Sequence, residues 1–241
     1  MSGPKIAALY GFITNKLGLC GPRQDLLKKF IAGKLSIPQI LPVLEKFEGA
    51  YPYYQLIAQK NKVETGPFNK KVVEAYWLGN ELLDKVTADD LRELIATKFS
   101  RPGLLPKKVA AAKVKQIPED SKPHHSFHVL VLGSVTGSVD FTDNTKLKDI
   151  CRVGWGRVIK KFKVQSSKFK VIVTYQPLIG KKRLRLGESI KKEIFWNKEL
   201  VPKVKVGDWV SFHWGWLVQV LTPQEVINLK EYTVNTLKSL V

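Results

Sequence analysis

From Lys5 to about Lys115 the apolar positions recur at helical spacing, with no strand-like alternation of any length. Residues 68–86 set Phe68, Val72, Val73, Tyr76, Trp77, Leu82, Leu83 and Val86 on one face. Thr87-Ala88-Asp89-Asp90 then reads as a capped helix start. Pro22, Pro38, Pro42, Pro52, Pro67, Pro102 and Pro106 are expected to divide the stretch into roughly six or seven helices, because proline opens or ends a helix more readily than it sits inside one. Tyr51, Tyr53, Tyr54, Tyr76 and Trp77 fall at helical spacing, which favours core packing over a pocket lining.

The pattern changes at the polar, proline-bounded linker 116–123. Residues 123–133 carry a strand signal, Gly133 to Ser138 reads as a hairpin turn, and Thr136 to Asn144 is turn-rich. Beyond Cys151 short strands predominate: Val158, Phe162 and Val164 alternate with charge, as do Phe169, Val171, Val173 and Tyr175, with Leu184 and Leu186 following. Residues 209–221 read as one long strand with Val210, Phe212, Trp214, Trp216, Val218 and Val220 on one face. His213 then points the other way, towards solvent. Thr222, Pro223 and Glu225 open a terminal helix through a capping box, and Val226, Leu229, Leu237 and Leu240 are expected to pack it on the strands. The expected fold class is α+β: a helical bundle over 1–115, a linker with a His-rich strand and hairpin over 116–145, and a small closed β-barrel with a C-terminal helix over 146–241.

Composition narrows the setting. The chain has 241 residues, enough to bury its own core, and its two cysteines, Cys20 and Cys151, cannot form a disulfide framework. With no secretory segment and no apolar run of membrane-spanning length, the expectation is a reduced, cytoplasmic protein without a membrane partner. The formal charge is +19, and residues 146–241 hold 20 Lys/Arg against 7 Asp/Glu. Such a field attracts nucleic acid through its phosphates without sequence preference, and equally an acidic protein or an anionic metal complex.

Candidate chemistry centres on the histidines. His124, His125 and His128 fall within five residues, and His213 lies in the clearest strand. In an extended segment His124 and His128 share a face but lie too far apart to hold one ion by themselves, so a metal role for them needs Cys151 or His213 as partner. No phosphate-cradling glycine loop, Gly-x-Ser-x-Gly elbow or Cys-x-x-Cys pair occurs.

Residues 149–158, Asp-Ile-Cys-Arg-Val-Gly-Trp-Gly-Arg-Val, resemble the opening of the hydrogenase assembly chaperone (HypC/HupF) family, where Met-Cys leads a glycine-rich turn into the first barrel strand. Residues 206–216, Val-Gly-Asp-Trp-Val-Ser-Phe-His-Trp-Gly-Trp, resemble the same family's later signature, and the helix after Thr222 is similar to its terminal helix. The likeness covers about residues 150–235. It implies an OB-like barrel and an assembly chaperone or metal-centre carrier rather than an enzyme. Its cargo would be an iron-cyanide-carbonyl centre, passed to the nickel-iron hydrogenase large-subunit precursor alongside other maturation proteins. By position, Cys151 becomes the thiolate ligand and His213 the imidazole ligand, with Arg152 and Arg157 placed to favour the thiolate. Here the cysteine is internal, and Val153 and Trp155 stand where the family has glycine and proline. The alternatives are a basic small-barrel nucleic-acid-binding protein, or an enzyme with a Cys/His iron site at the junction of the two parts. The chain as a whole also resembles an uncharacterised prokaryotic family with the His-His-Ser-Phe-His-Val stretch, which supplies no activity.

Overall fold

Capping chemistry sets several of the helix starts in the computed structural model, which describes residues 1–22, 25–165 and 168–240. Seven α-helices occupy the described part of the first 115 residues: α1 (Gly3–Lys16), α2 (Leu26–Ile31), α3 (Ile37–Leu44), α4 (Tyr51–Lys60), α5 (Lys70–Leu78), α6 (Ala88–Leu94) and α7 (Lys107–Lys115). Thr87 caps α6 reciprocally with Asp90, as its sequence predicts, and the Asn69 side chain caps α5. Pro38 and Pro52 lie in first turns, where the missing N–H costs nothing, but Pro42 sits inside α3 rather than dividing it.

The clearest departure is at residues 123–133, which form no strand. His124 caps a short helix, α8 (His125–Phe127), that widens into a π-helical turn over His128–Leu132 and closes with Gly133 N donating to His128 O at 2.8 Å. Phe127, Val129, Leu130 and Leu132 are all buried, so the segment has no polar face. A short run buried on every side carries no period that separates helix from strand, and the capping residue is a histidine rather than the usual Ser, Thr, Asp or Asn.

Helix α9 (Thr145–Cys151), capped by Asn144, leads into β1 (Gly154–Gln165). It is followed by β2 (Lys168–Tyr175), β3 (Leu178–Ile179), β4 (Arg185–Leu186), β5 (Ile190–Trp196), β6 (Trp209–His213), β7 (Trp216–Leu221) and α10 (Pro223–Lys238). Five strands close a barrel in the order β1-β2-β5-β7-β6, antiparallel except for the parallel pair β5 and β7, while β3 and β4 form a separate two-stranded sheet. Val158, Val171, Val173, Ile194, Val210, Phe212 and Leu217 fill the barrel.

The single long strand expected over residues 209–221 is a hairpin. Trp214 (φ 51°) and Gly215 (φ 74°) both take positive φ, and His213 pairs with Trp216 across the turn. Two successive left-handed residues make the tight reversal that suits twisted strands, here with tryptophan where asparagine or aspartate is usual. Val210, Phe212 and Leu217 therefore face inward while Trp216 lies half-exposed, which breaks the expected common face.

Helix α10 starts at the Thr222/Glu225 capping box, as the sequence predicts. It does not lie on the barrel alone. Thr233 Oγ1 meets Ser126 Oγ of α8 at 3.0 Å, and Asn228 donates to the Gly79 carbonyl at the end of α5. Leu229 joins a principal apolar cluster that runs from Ile6, Tyr10, Tyr53 and Tyr76 in the helices to Val153, Trp155, Val218 and Leu221 around the barrel. The helical part and the barrel therefore share buried apolar surface.

Candidate metal centre

Two chain reversals bring the chemistry together. Cys151 is the last residue of α9 and His213 the last residue of β6. Strands β1 and β6 pair with Gly154 opposite Phe212, and Trp214 N donates to Ile150 O at 2.9 Å, so the end of α9 is tied to the β6–β7 turn. Helix α8 supplies His125 from the third direction. One ligand atom from each of His125, Cys151 and His213 lies within 4.8 Å of the others, and all three residues are buried.

Hydrogen bonding prepares these atoms for a cation. His213 Nδ1 donates to the Tyr10 carbonyl at 3.0 Å, which leaves Nε2 as a bare lone pair, buried and without a hydrogen-bond partner. That is the tautomer a metal-binding imidazole needs, held by a backbone carbonyl behind it. His125 is one proton short. Its Nδ1 lies 3.0 Å from Tyr76 Oη, its Nε2 lies 3.0 Å from the Cys151 carbonyl, and Tyr76 gives its own proton to the Gly49 carbonyl. Tyr76 therefore requires Nδ1–H, after which the neutral ring sets the Nε2 lone pair against a carbonyl oxygen. A second ring proton would mend this, but burial, together with neighbouring His213 and His128, holds the His125 pKa well below the ordinary value. Both ring nitrogens are thus engaged in the metal-free protein, and a cation at His125 Nε2 requires the Cys151 carbonyl, 3.0 Å away, to turn aside.

The centre carries little charge of its own. Burial holds His213 neutral, its pKa lowered to about 4, and pushes the Cys151 thiol up to about 12. The expectation that Arg152 and Arg157 favour the thiolate is overturned. Arg152 is buried but is engaged by the Asp149 carboxylate at 2.8 Å and the Gln176 carbonyl at 2.7 Å, while Arg157 is solvent-exposed. The thiol is therefore protonated until a cation arrives, and a soft thiolate with two imidazoles is a donor set suited to iron, zinc or copper.

Beside the trio lies a cavity of about 70 Å³, lined also by Cys20, Gly49, Trp77, His128, Phe141 and Trp214. A Cβ on Gly49 would come within 3.1 Å of His128 Nε2, so the missing side chain keeps this space open. Taking liquid water's share of about 30 Å³ per molecule, the cavity has room for about two water-sized molecules.

The other histidines separate. His128 lines the cavity with Nδ1 against Tyr53 Oη at 3.2 Å but stands outside the trio. His124 stacks on Tyr232 of α10, with ring centroids 5.7 Å apart, away from the centre. Both are buried, and His213 is 2% exposed, so the solvent-facing His213 expected from strand alternation is not found. Of the three clustered histidines the strand reading left His125 without a role, and Cys20, given none, lines the cavity. Helical geometry, which puts residues three apart on one face, would have paired His125 with His128. Tyr53, Tyr54, Tyr76 and Trp77 are core residues as expected, yet Tyr53 and Tyr76 also hold the histidines.

No described helix is long and apolar enough to cross a membrane. A family of unknown function (DUF6390) matches the chain over residues 1–240. No curated protein and no solved structure matches it.

Proposed function

The chain belongs to the DUF6390 family, and we propose that it holds a transition-metal centre on His125, Cys151 and His213, serving as a carrier or scaffold for iron in nickel-iron hydrogenase assembly. The observation that carries the metal reading is the trio within 4.8 Å, with the buried His213 Nε2 lacking any partner. The hydrogenase reading rests on the likeness of residues 149–158 and 206–216 to the assembly chaperones, and the barrel's strand order with its one parallel pair supports an OB-like fold. Cys151 and His213, the two ligands which that likeness implies, lie side by side although 62 positions apart in sequence.

Within this reading residues 146–241 form the carrier barrel, 116–145 bring His125, and 1–115 close over the centre. Cys151 supplies the anionic sulfur, His213 and His125 supply neutral nitrogens, and the cavity lies on the side where the cargo's own ligands would project. Because the trio is buried, loading and release require the helical part to move, and the hydrogenase precursor is the partner expected to drive that. The cluster is read as a holding site rather than a catalytic one.

The test is anaerobic purification followed by metal analysis and infrared spectroscopy. Iron with cyanide and carbonyl stretches, lost in Cys151→Ala and His213→Ala and weakened in His125→Ala, is the expected result. Zinc alone at one equivalent keeps the metal site and removes the hydrogenase role. Metal retention unchanged in all three variants overturns both.

A further inference from the structure

On the outside of the barrel, strand register aligns an aromatic and cationic row. Phe162 of β1 pairs with Lys170 of β2, Lys170 with Phe195 of β5, and Phe195 with Trp216 of β7. Directly opposed residues in adjacent strands point to the same face, so these four form one line across the strands. Phe195 is 41% exposed, a large apolar side chain partly open to solvent. Its ring stacks on Trp216 with centroids 5.3 Å apart and planes 25° apart.

Cations sit on the aromatic faces. Lys170 Nζ is 4.9 Å from the Phe195 centroid and Lys16 Nζ, from the end of α1, is 5.6 Å from that of Trp216. At Trp216 the row opens into a groove of about 730 Å³ between the first two helices and the barrel, lined by Phe12, Asn15, Lys16, Lys28, Asn197 and Asp25 among others. Lys160, two residues before Phe162 on the same face of β1, is exposed. Glu193, paired with Lys170 at 2.8 Å, and Asp25 are the acids at this face.

We propose that this row and groove bind single-stranded nucleic acid without sequence preference. Flat aromatic faces accept any base by stacking, and lysines between and beside them meet the phosphates, which is the combination a single strand needs and a duplex, with its bases already stacked, cannot use. Strand spacings of about 4.8 Å make the row about 14 Å long, room for a few nucleotides before the strand enters the groove. The +13 balance of residues 146–241 strengthens attraction but does not choose between strand and duplex. The choice is made by Phe195 and Trp216. This inference is independent of the metal reading.

The test titrates the full-length protein into a fluorescein-labelled oligothymidylate of about 20 nucleotides, longer than the ~4–16 nucleotides one small barrel covers, and into a duplex of equal length, following anisotropy at low and moderate salt. The single strand is expected to bind more tightly than the duplex. Phe195→Ala, and separately Phe195→Ala with Trp216→Ala, should weaken single-strand binding between about fivefold and a hundredfold, as stacking losses do, and leave duplex binding unchanged. Phe195 is already exposed, so the single variant reports even if the double one folds poorly. Lys16→Gln with Lys170→Gln should flatten the salt dependence for both ligands. Equal affinity for strand and duplex, with no response to Phe195→Ala, means charge attraction alone and overturns the proposal, as does absence of binding at low salt.

Discussion

The protonation state of Cys151 makes the metal reading quantitative. In the metal-free protein burial raises this thiol to about 12, although the Trp214 indole beside it pulls the other way. At pH 7 forming the thiolate then costs roughly 7 kcal/mol, at about 1.4 kcal/mol per pH unit. A cation must supply that energy and release the proton. His213, lowered to about 4, and His125, also well below its ordinary value, are already neutral above pH 6 and release none. Between about pH 6 and 9 one proton should leave for each ion bound, and the apparent association constant should rise about tenfold per pH unit. Anaerobic competition of cobalt(II) or iron(II) against a chromophoric chelator, corrected for the chelator's own titration, measures the slope. Calorimetry in two buffers of different ionisation heat counts the proton directly. In Cys151→Ala binding should be much weaker and independent of pH over this range. A flat profile in the unmodified protein would show that the thiol is not the ligand, and a loss of two protons would contradict the neutral histidines.

Three further outcomes follow from buried groups. Burial lowers His124 to about 3 and His128 to about 4, with His213 alike, so the unfolded chain takes up protons that the fold refuses. Stability of the metal-free protein should be full above pH 6.5 and fall as the pH drops towards 4, by about 1.4 kcal/mol per unit for each histidine; urea midpoints equal at pH 7.5 and 5.5 would refute this. Asp149 accepts from Arg152, Tyr175 and Leu178 N, and Asp149→Ala leaves a buried guanidinium uncompensated, at a cost of about 3–5 kcal/mol by denaturant unfolding; a loss under about 1 kcal/mol would show that the pair is solvated. Gly79 has φ 85°, and a Cβ there would lie 2.1 Å from the Tyr232 ring, so Gly79→Ala should destabilise by at least about 2 kcal/mol and loosen α10 from α5, read as faster amide exchange in α10.

Elements whose sequence carries its own punctuation were legible. The capping boxes at Thr87 and Thr222, the helix within residues 68–86 and the alternation in β2 appear where the pattern puts them, whereas in β1 a bulge between Val158 and Lys160 leaves Val158 inside the barrel and turns Phe162 and Val164 outward. The hairpin at Trp214 and Gly215 and the helix at 124–132 were not, because each is built against local preference. A tryptophan at positive φ and a histidine cap are accepted only where surrounding packing holds them. Reading 124–132 as a strand also set His124 and His128 forward, whereas the structure brings His125 to Cys151 and His213.

The sequence alone determined the succession of a helical part by a strand-rich part and the basic character of the latter, since these depend on spacing and residue type, while Cys151 and His213 were put forward by the likeness of residues 149–158 and 206–216 to the assembly chaperones. Only the tertiary structure decided that His125 joins them, that the thiol is protonated, that the centre is buried and that Phe195 and Trp216 share an outer row. Those depend on which surfaces meet across 50 or 200 positions of chain, as when Tyr10 holds His213 or Tyr76 holds His125. Hydrogen-bond completion and desolvation exist only once the helical part has closed on the barrel.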